Sequence, residues 1–332
     1  MDIGGTSVQA LAYVDLIGVP QVGDDVLVNT GALALELGTG GYAMVVAVPD
    51  RLPRDPEGPG HLVKARYTPQ QVTVLGVDEQ DSPDHETLRD ADDLAGMPVV
   101  LADLHSALPA VLAGIRADRV GTRVAYVMTD GGALPLAFSR SVAELTEAGW
   151  LAGTVTVGQA YGGDLEAVTL HSGLLAARLV LDAELIVVTQ GPGNLGTGTR
   201  WGFSGVAAGE AVNAVGVLGG RPVASLRISD ADPRPRHRGI SHHSLTAYGR
   251  VALVRADVAV PLLPGALGAE IQTQAARLAQ RHHLVDVPLD GLAGALGDSP
   301  TRLATMGRGV DEDLAYFLAA AAAGRHAATL LA

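Results

Sequence analysis

The sequence predicts an α/β protein in which a small N-terminal β barrel or sandwich precedes a three-layer α/β domain with a mainly parallel sheet. Residues 1–80 contain short apolar runs separated by glycine and proline, as short strands require. From Met97 onward, apolar strand-like runs alternate with loops and helical segments, which is typical of a parallel sheet covered by helices. Apolar residues make up 48% of the chain and aromatic residues only 4%, so small side chains build these elements.

These patterns divide the chain into three segments. A β-rich domain is expected over 1–80, with short antiparallel strands near 9–13, 25–29, 43–48 and 71–77. Residues 81–96 are rich in aspartate and glutamate, and we interpret them as an exposed acidic connector because charge runs are usually solvated. Residues 97–332 then form the ligand-binding α/β domain, ending in an alanine-rich helix that packs on the domain or on a partner subunit.

The α/β domain is expected to bring its polar loops together. Its strands are predicted at 99–102, 123–128, 153–158, 184–189 and 222–228, with weaker ones at 257–261 and 283–287. Since successive parallel strands place the loops that follow them at one carboxyl edge, five loops share that edge. Open α/β sheets bind ligands there, and the glycine and charged residues of this domain are concentrated in those loops.

A glycine-rich loop follows the fourth strand. Its candidate ligand-binding residues are Gly191, Gly193, Asn194, Gly196, Thr197, Gly198 and Thr199. Glycines let backbone N–H groups approach an anion, and the start of a following helix would add a positive dipole end. The loop has neither the Gly-Lys-Ser/Thr of a P-loop nor a dinucleotide fingerprint after a first strand. A glycine-bent structural loop remains the alternative.

A charged loop follows the fifth strand. The candidate catalytic residues in it are Asp232, His237, His242 and His243, and the candidate anion-binding residues are Arg227, Arg234, Arg236 and Arg238. Arginines clamp phosphate or carboxylate in bidentate fashion, while histidine and aspartate exchange protons or bind a divalent metal ion. Adjacent histidines at a helix start would not readily face one ion. Three interpretations of the charged loop remain open. It is a functional polar loop without a metal ion, a metal site, or a solvated or interface loop.

The earlier loops contribute further candidates. Asp103 and Asp130 are candidate catalytic residues, and Gly163 and Asp164 are candidate ligand-binding residues. For a metal ion, the candidate ligands are Asp103, His105 and Asp230, although no spacing matches a named metal motif. The plain alternative for each is a helix cap or a loop residue, and Asp164 in particular is placed to cap the helix after it.

Composition narrows the classes of partner. The absence of cysteine excludes disulfides, thiolate metal sites and a cysteine nucleophile. A net charge of −13 argues against a nucleic-acid partner but leaves room for a local basic pocket. No apolar run reaches the roughly 18 residues that span a bilayer, and the N-terminus does not resemble a signal peptide. We expect a cytoplasmic protein whose partner is a small-molecule anion, with no nucleic acid, no membrane, and a homo-oligomer as a candidate assembly.

Two stretches of the α/β domain carry a family resemblance. They are 191–205, which holds the glycine-rich loop, and 227–244, of which Arg236 to Ser244 is the most specific part; Gly38 to Tyr42 and Gly162 to Val168 are also similar. On these residues the chain resembles a bacterial family catalogued as domain of unknown function 3866. Members commonly have extra residues before the first strand. The resemblance implies no activity, because the function of the family is not established.

The sequence therefore supports one leading hypothesis and two alternatives. The leading hypothesis is an enzyme, a hydrolase or a transferase, that acts on a phosphorylated or carboxylated small molecule at the carboxyl edge of the sheet. In it the arginines and the glycine-rich loop hold the anion, and the histidines exchange protons. A non-catalytic sensor would use the same pocket, and a structural subunit of an assembly would need no ligand. The sequence leaves the cofactor open, and a divalent metal ion is a candidate.

Overall fold

The computed structural model describes residues 1–37, 40–54 and 58–331. Gly38 and Thr39, which open one of the family-like stretches, lie outside these ranges. The chain divides into two compact units, Met1–Leu75 and Gly76–Ala332. The predicted fold class is confirmed, because small β-sheets form the first unit and a parallel sheet flanked by helices forms the second.

The first unit is built from short strands in three small sheets. Its strands are β1 (Asp2–Ile3), β2 (Thr6–Ser7), β3 (Ala10–Leu11), β4 (Leu27–Asn29), β5 (Ala43–Ala47), β6 (Leu62–Lys64) and β7 (Val72–Val74), and its helices are α1 (Val14–Ile17) and α2 (Gly31–Ala34). The pairs β1–β2, β4–β5 and β6–β7 are antiparallel as expected. The pair β3–β5 is parallel, which the segment between them permits because it carries β4 and both helices.

An eight-stranded parallel sheet forms the centre of the second unit. Its strands in chain order are β8 (Pro98–Leu101), β9 (Val124–Thr129), β10 (Gly153–Thr156), β11 (Leu165–Glu166), β12 (Leu185–Gln190), β13 (Arg221–Ser225), β16 (Asp257–Pro261) and β17 (His283–Val287), and two short pairs are β14 (Ile228–Ser229) with β15 (Gly239–Ile240) and β18 (Ala304–Thr305) with β19 (Arg308–Gly309). The spatial order is β11-β10-β9-β12-β8-β13-β16-β17. Every pairing within this sheet is parallel.

Helices cover both faces of the sheet and make two separate cores. The helices are α3 (His85–Leu88), α4 (Leu108–Asp118), α5 (Arg140–Glu147), α6 (Leu170–Leu179), α7 (Ala207–Val217), α8 (His242–Thr246), α9 (Gly265–Ala275), α10 (Leu292–Gly297) and α11 (Leu314–Thr329). Alternate residues of a strand face opposite sides, so Val99 and Leu101 enter the core that includes α6, α7 and α9. Val100 and Ala102 enter the other core, with α4, α10 and α11. The result is the three-layer arrangement.

Most residues of the acidic segment 81–96 are exposed as expected, but the segment is anchored within the second unit. It belongs to the second unit, where Leu88 and Leu94 enter the core on the α6 and α7 side. The backbone N–H of Leu94 donates to the carbonyl of Leu218, which ties the segment to the end of α7. Acidic residues lie on either side of these two buried leucines, Leu88 and Leu94. A count of the charges in the segment does not reveal that the leucines are buried.

Strand order decides which loops meet. The chain starts the sheet at β8, moves to β9 and β10, and then returns to insert β12 between β9 and β8 before continuing to β13. The strands β12, β8 and β13 are therefore neighbours, and the reversal beside β8 is the topological switch at which open α/β sheets hold ligands. The loops that begin at Gly191, Ala102 and Leu226 meet at the carboxyl ends of these three strands.

Candidate functional site

Asp103 and Arg227 are brought together because the strands that precede them are neighbours. Asp103 follows β8 and Arg227 follows β13, and the side chains of both are only 4% exposed. Arg227 Nη1 lies 4.0 Å from Asp103 Oδ2, and that oxygen accepts no hydrogen bond within the described residues. His243 Nδ1 lies 3.5 Å from the same oxygen. A buried carboxylate oxygen without a donor is costly, which makes Asp103 a candidate member of a site.

The backbone fixes the charged loop around Arg227. The N–H of Arg227 donates to Ser244 Oγ at 2.9 Å, and the N–H of Ser241 donates to the carbonyl of Arg227 at 2.8 Å. Residues 230–238 form an excursion that the antiparallel pair β14–β15 closes. The short helix α8 ends at Thr246, and a π-helical turn, Ala247–Val251, continues it. Such turns are frequent at functional sites.

Three histidines converge beside Arg227, and we call His237, His242 and His243 the histidine cluster. One ring nitrogen of each lies within 4.8 Å of the others, close enough for the three to be candidate metal ligands. His237 and His243 are buried, and Phe203 stacks on the ring of His243 with centroids 3.8 Å apart. The adjacent His242 and His243 were expected not to face one ion readily, yet their ring nitrogens lie close together. Their rings are inclined by 65°, so neighbours in sequence approach one point from different directions.

Two members of the histidine cluster, His237 and His242, have lowered pKa values. Burial, followed by the charges of Arg227 and Arg234, lowers the pKa of His237 to about 3. Burial, followed by His243 and Arg236, lowers the pKa of His242 to about 4. Near neutral pH both rings keep a free lone pair. General acid–base catalysis works best with a pKa near the operating pH, and both values lie well below neutrality.

Asp232 serves the architecture of the loop. Its Oδ1 accepts from Arg234 Nε at 2.9 Å and its Oδ2 accepts from Arg234 Nη2 at 2.7 Å and Arg308 Nη2 at 3.4 Å. The hydrogen bond from Arg234 holds the pKa of Asp232 well below its ordinary value, although burial opposes the shift. Arg308 Nε also donates to Asp313 Oδ2 at 3.1 Å. Arg308 and Asp313 precede α11, and sequence reasoning missed their link to the charged loop because Asp232 lies 76 positions from Arg308 and Ser229 lies 84 positions from Asp313.

The remaining candidate residues do not join the histidine cluster. Both ring nitrogens of His105 are occupied, Nδ1 by Tyr126 Oη at 2.9 Å and Nε2 by Ser139 Oγ at 2.7 Å, and burial lowers the pKa of His105 to about 4. Asp230 forms an exposed pair with Arg238 at 3.3 Å. The metal set proposed from sequence, Asp103 with His105 and Asp230, is therefore not assembled. The single metal-type group among residues 1–37, 40–54 and 58–331 is the histidine cluster.

Asp130, Gly163 and Asp164 organise neighbouring loops. Asp130 Oδ2 accepts from the N–H of Gln159 at 2.9 Å. Asp164 Oδ2 accepts from both the N–H and the hydroxyl of Thr154 at 2.8 Å, and the N–H of Gly163 donates to Thr156 Oγ1 at 3.2 Å. Asp164 does not cap the following helix, because α6 begins later with Thr169 as its cap. These contacts all tie loops to strand β10 or to its end.

The glycine-rich loop is shaped by its own side chains. Asn194 Oδ1 accepts from Gln190 Nε2 at 2.9 Å, from Ser204 Oγ at 3.2 Å and from the N–H of Gly205 at 3.3 Å. The N–H of Thr197 donates to the carbonyl of Gly202 at 2.7 Å, and Gly196 bridges to Phe203. The predicted direct junction with a helix is wrong, because this hairpin and a 3₁₀ turn separate Gly198 from α7.

Gly198 is the part of this loop that borders a cavity. It has a φ of +78°, a conformation that favours glycine, and a Cβ at this position would lie 3.8 Å from Arg236 Nη2. The loop therefore passes close to the guanidinium group of Arg236. Gly191 and Gly132 instead bring two loops together, since a Cβ on Gly132 would lie 2.2 Å from the carbonyl oxygen of Gly191.

A cleft of about 670 Å³ opens beside the histidine cluster, and we call it the arginine cleft. Its polar lining comes from Gly198, Arg200, Arg236, His242, Thr246, Arg250 and Arg277, with no carboxylate. None of the four guanidinium groups forms an ion pair or hydrogen bond within the part of the chain that the structure describes. Arg200, Arg250 and Arg277 were missed from sequence, because a loop and two separate helical turns contribute them.

The comparisons with known proteins place the chain in a family. A protein-family model matches residues 9–324, which is nearly the whole chain. The chain belongs to DUF3866. This family is described as a protein of unknown function, so membership confirms the resemblance seen in the glycine-rich and charged loops and supplies no activity. No curated protein matches the chain.

One solved structure similar to this DUF3866 chain is the signal recognition particle 54 kDa protein of Aeropyrum pernix K1 in complex with GDP. The two chains are 15% identical, with a TM-score of 0.33. The alignment covers 57% of this chain and 42% of that one, so this chain spans less than half the length of that protein. None of the helices formed by the described residues has the length and apolar character that a membrane crossing requires.

Proposed function

We propose that this DUF3866 protein is an enzyme that binds a phosphorylated or carboxylated small molecule in the arginine cleft and performs hydrolysis or group transfer on it. The observation that carries the proposal is the set of four exposed arginines, Arg200, Arg236, Arg250 and Arg277, that line one cleft without a carboxylate partner. Arginine presents a planar fork of donors that matches phosphate and carboxylate geometry. A volume of about 670 Å³ lies within the range of small-molecule sites.

The charge balance of the chain strengthens this proposal. The protein carries a net charge of −13, and most of its other arginines form ion pairs, such as Arg221 with Asp257 and Arg325 with Asp118. Four unpaired guanidinium groups around one concavity repel one another. An anion removes that repulsion, so its binding stabilises the folded state.

Pyrophosphate, inorganic phosphate and citrate test the anion site. With EDTA present to exclude metal effects, we expect pyrophosphate to raise the melting temperature of the full chain in a saturable way. Arg236→Ala and Arg277→Ala each remove a charge-assisted contact and should weaken pyrophosphate binding about 10-fold or more. Arg140→Ala is the matched control, because Arg140 is 90% exposed on α5 and outside the cleft lining. Equal affinities for all three variants and the wild type would overturn the proposal.

Catalysis is tested separately from binding. A non-catalytic sensor would use the same arginines, and it would have no need of the histidine cluster at the cleft wall, where His242 contributes to the lining. We expect His242→Ala to bind pyrophosphate with nearly wild-type affinity and to lose the release of inorganic phosphate from phosphate esters. If His242→Ala keeps both the affinity and every activity of the wild type, the protein is a binding module.

A further inference from the structure

We infer that the histidine cluster is a site for one divalent metal ion of the zinc type, and that the bound ion forms part of the wall of the arginine cleft. The ring nitrogens of His237, His242 and His243 lie within 4.8 Å of one another. Nitrogen ligands of a tetrahedral zinc ion lie about 3.3 Å apart at Zn–N distances of about 2.0–2.1 Å, so the rings need to close by at most about 1.5 Å. The inference deepens the proposed function and rests on it for the role of the cleft.

Ligation through Nε2 places the ring proton on Nδ1. His237 Nδ1 is hydrogen-bonded to Ser241 Oγ at 2.7 Å, which leaves its Nε2. His243 Nδ1 lies 3.2 Å from Arg227 Nη1 and 3.5 Å from Asp103 Oδ2. Because a guanidinium group only donates, ligation through His243 Nε2 requires the Nδ1–H to turn from Arg227 to the Asp103 carboxylate, the kind of acceptor that metal-binding histidines commonly have at their second ring nitrogen.

His242 supplies an independent indication of a missing partner. Its Nε2 is buried and has no hydrogen bond within the described residues. The nearest rings are those of His243, with centroids 4.4 Å apart, and His237, at 5.0 Å. A buried imidazole nitrogen without a hydrogen bond is costly, and a metal ion held between the three rings would give it a partner.

The donor set selects the class of metal. Three imidazoles suit zinc, cobalt, nickel or copper, whereas magnesium and calcium require oxygen ligands. Three protein ligands also leave a fourth position for water or substrate, as in catalytic zinc sites. The unpartnered carboxylate of Asp103 lies beside His243 and offsets part of the added positive charge. Because His242 also lines the arginine cleft, the ion would lie next to an anion bound there.

Metal titration of the full chain, stripped with EDTA, tests the site. We expect one equivalent of Co²⁺ to give the visible absorption of a tetrahedral complex, Zn²⁺ to displace it and to raise the melting temperature, and Mg²⁺ to do neither. His242→Ala should bind Zn²⁺ more than about 100-fold more weakly, since loss of a ligand exceeds the loss of an outer-shell partner. His171→Ala is the control, because His171 is exposed on α6 and should leave the affinity unchanged.

Two outcomes would overturn the inference. One is a wild-type protein that gives neither Co²⁺ absorption nor stabilisation by Zn²⁺, and the other is a His242→Ala variant that binds Zn²⁺ like His171→Ala. If His242→Ala does not fold, His242→Gln and the wild-type titration decide the question. The pyrophosphate response in EDTA distinguishes the two proposals: it survives if only the metal site is wrong, and it disappears while Co²⁺ still binds if only the anion site is wrong.

Discussion

At the residue scale, the arginines of this protein fall into two groups with different roles. Arg227 is buried between Asp103 and Asp232, at 4.0 and 3.9 Å, and its loss would leave two buried carboxylates with less compensation. Arg236 and Arg277 are exposed at the arginine cleft and form no ion pair within the described residues. The same side chain is therefore a structural counter-ion in one place and, in our proposal, an anion-binding group in another.

Asp257 gives a pH-dependent prediction. It accepts hydrogen bonds from His326 Nε2 at 2.8 Å and His283 Nδ1 at 3.1 Å. Burial raises the pKa of Asp257, but the hydrogen bonds from His326 and His283 outweigh burial, and the pKa is lowered. A lowered pKa in the folded state means that the carboxylate stabilises the protein above the unfolded pKa of about 3.9 and loses that effect as the pH falls further.

We therefore expect Asp257→Asn to be less stable than the wild type at pH 5 to 7, and the difference in free energy of unfolding to shrink below about pH 4. Urea unfolding over this pH range measures it. Asp182→Asn serves as the control, because Asp182 is 92% exposed and its replacement should change stability little. A difference for Asp257→Asn that is the same at every pH would contradict the prediction.

At the scale of elements, two glycines determine how the C-terminal helix packs. A Cβ on Gly114 of α4 would lie 1.9 Å from the carbonyl oxygen of Ala321, and a Cβ on Gly324 of α11 would lie 2.0 Å from that of Val111. The backbones of α4 and α11 therefore meet directly, which is why α11 can be buried on nearly all sides despite its small side chains. Sequence reasoning left open a partner subunit for this helix; the second unit itself covers it.

Gly324→Ala should destabilise the protein by at least about 2 kcal/mol, because the backbone oxygen that its Cβ would meet cannot move without separating the two helices. Chemical denaturation of the full chain measures this change. Gly294→Ala on α10 is the matched control, since no atom lies within 4 Å of its added Cβ. That variant should be neutral or more stable by about 0.5–1 kcal/mol. Equal stabilities for the two variants would show that α4 and α11 do not pack this closely.

At the scale of the whole molecule, the second unit by itself supplies the residues of its two hydrophobic cores. Every buried member of both cores lies between Val77 and Ala328, and the arginine cleft and histidine cluster lie within the same span. A domain whose hydrophobic core is formed by its own residues can fold alone. Residues 76–332 expressed alone should unfold cooperatively and respond to pyrophosphate as the full chain does. A fragment that aggregates or shows no cooperative transition would contradict this expectation.

Much of the fold followed from patterns that extend over a few residues. Period-two alternation and buried apolar runs predicted the strands at 99–102, 184–189 and 257–261, and the structure has strands at all three places. The loops at the carboxyl edge were predicted for the same reason, because parallel strands place them there. Contacts between residues far apart in the chain leave no such local pattern. The contact of Leu94 with Leu218 and the pairing of Asp232 with Arg308 were therefore not predicted.

The sequence by itself determined the α/β class, the concentration of glycine, arginine and histidine in the loops after β12 and β13, and the absence of thiol chemistry. Only the tertiary structure decided how those residues combine. The order β12-β8-β13 set Asp103 beside Arg227 and His243, and His105, two positions away, was directed into the core instead. Strand order and helix packing depend on contacts between residues far apart in the chain, whereas residue types and local periodicity can be read from neighbours alone.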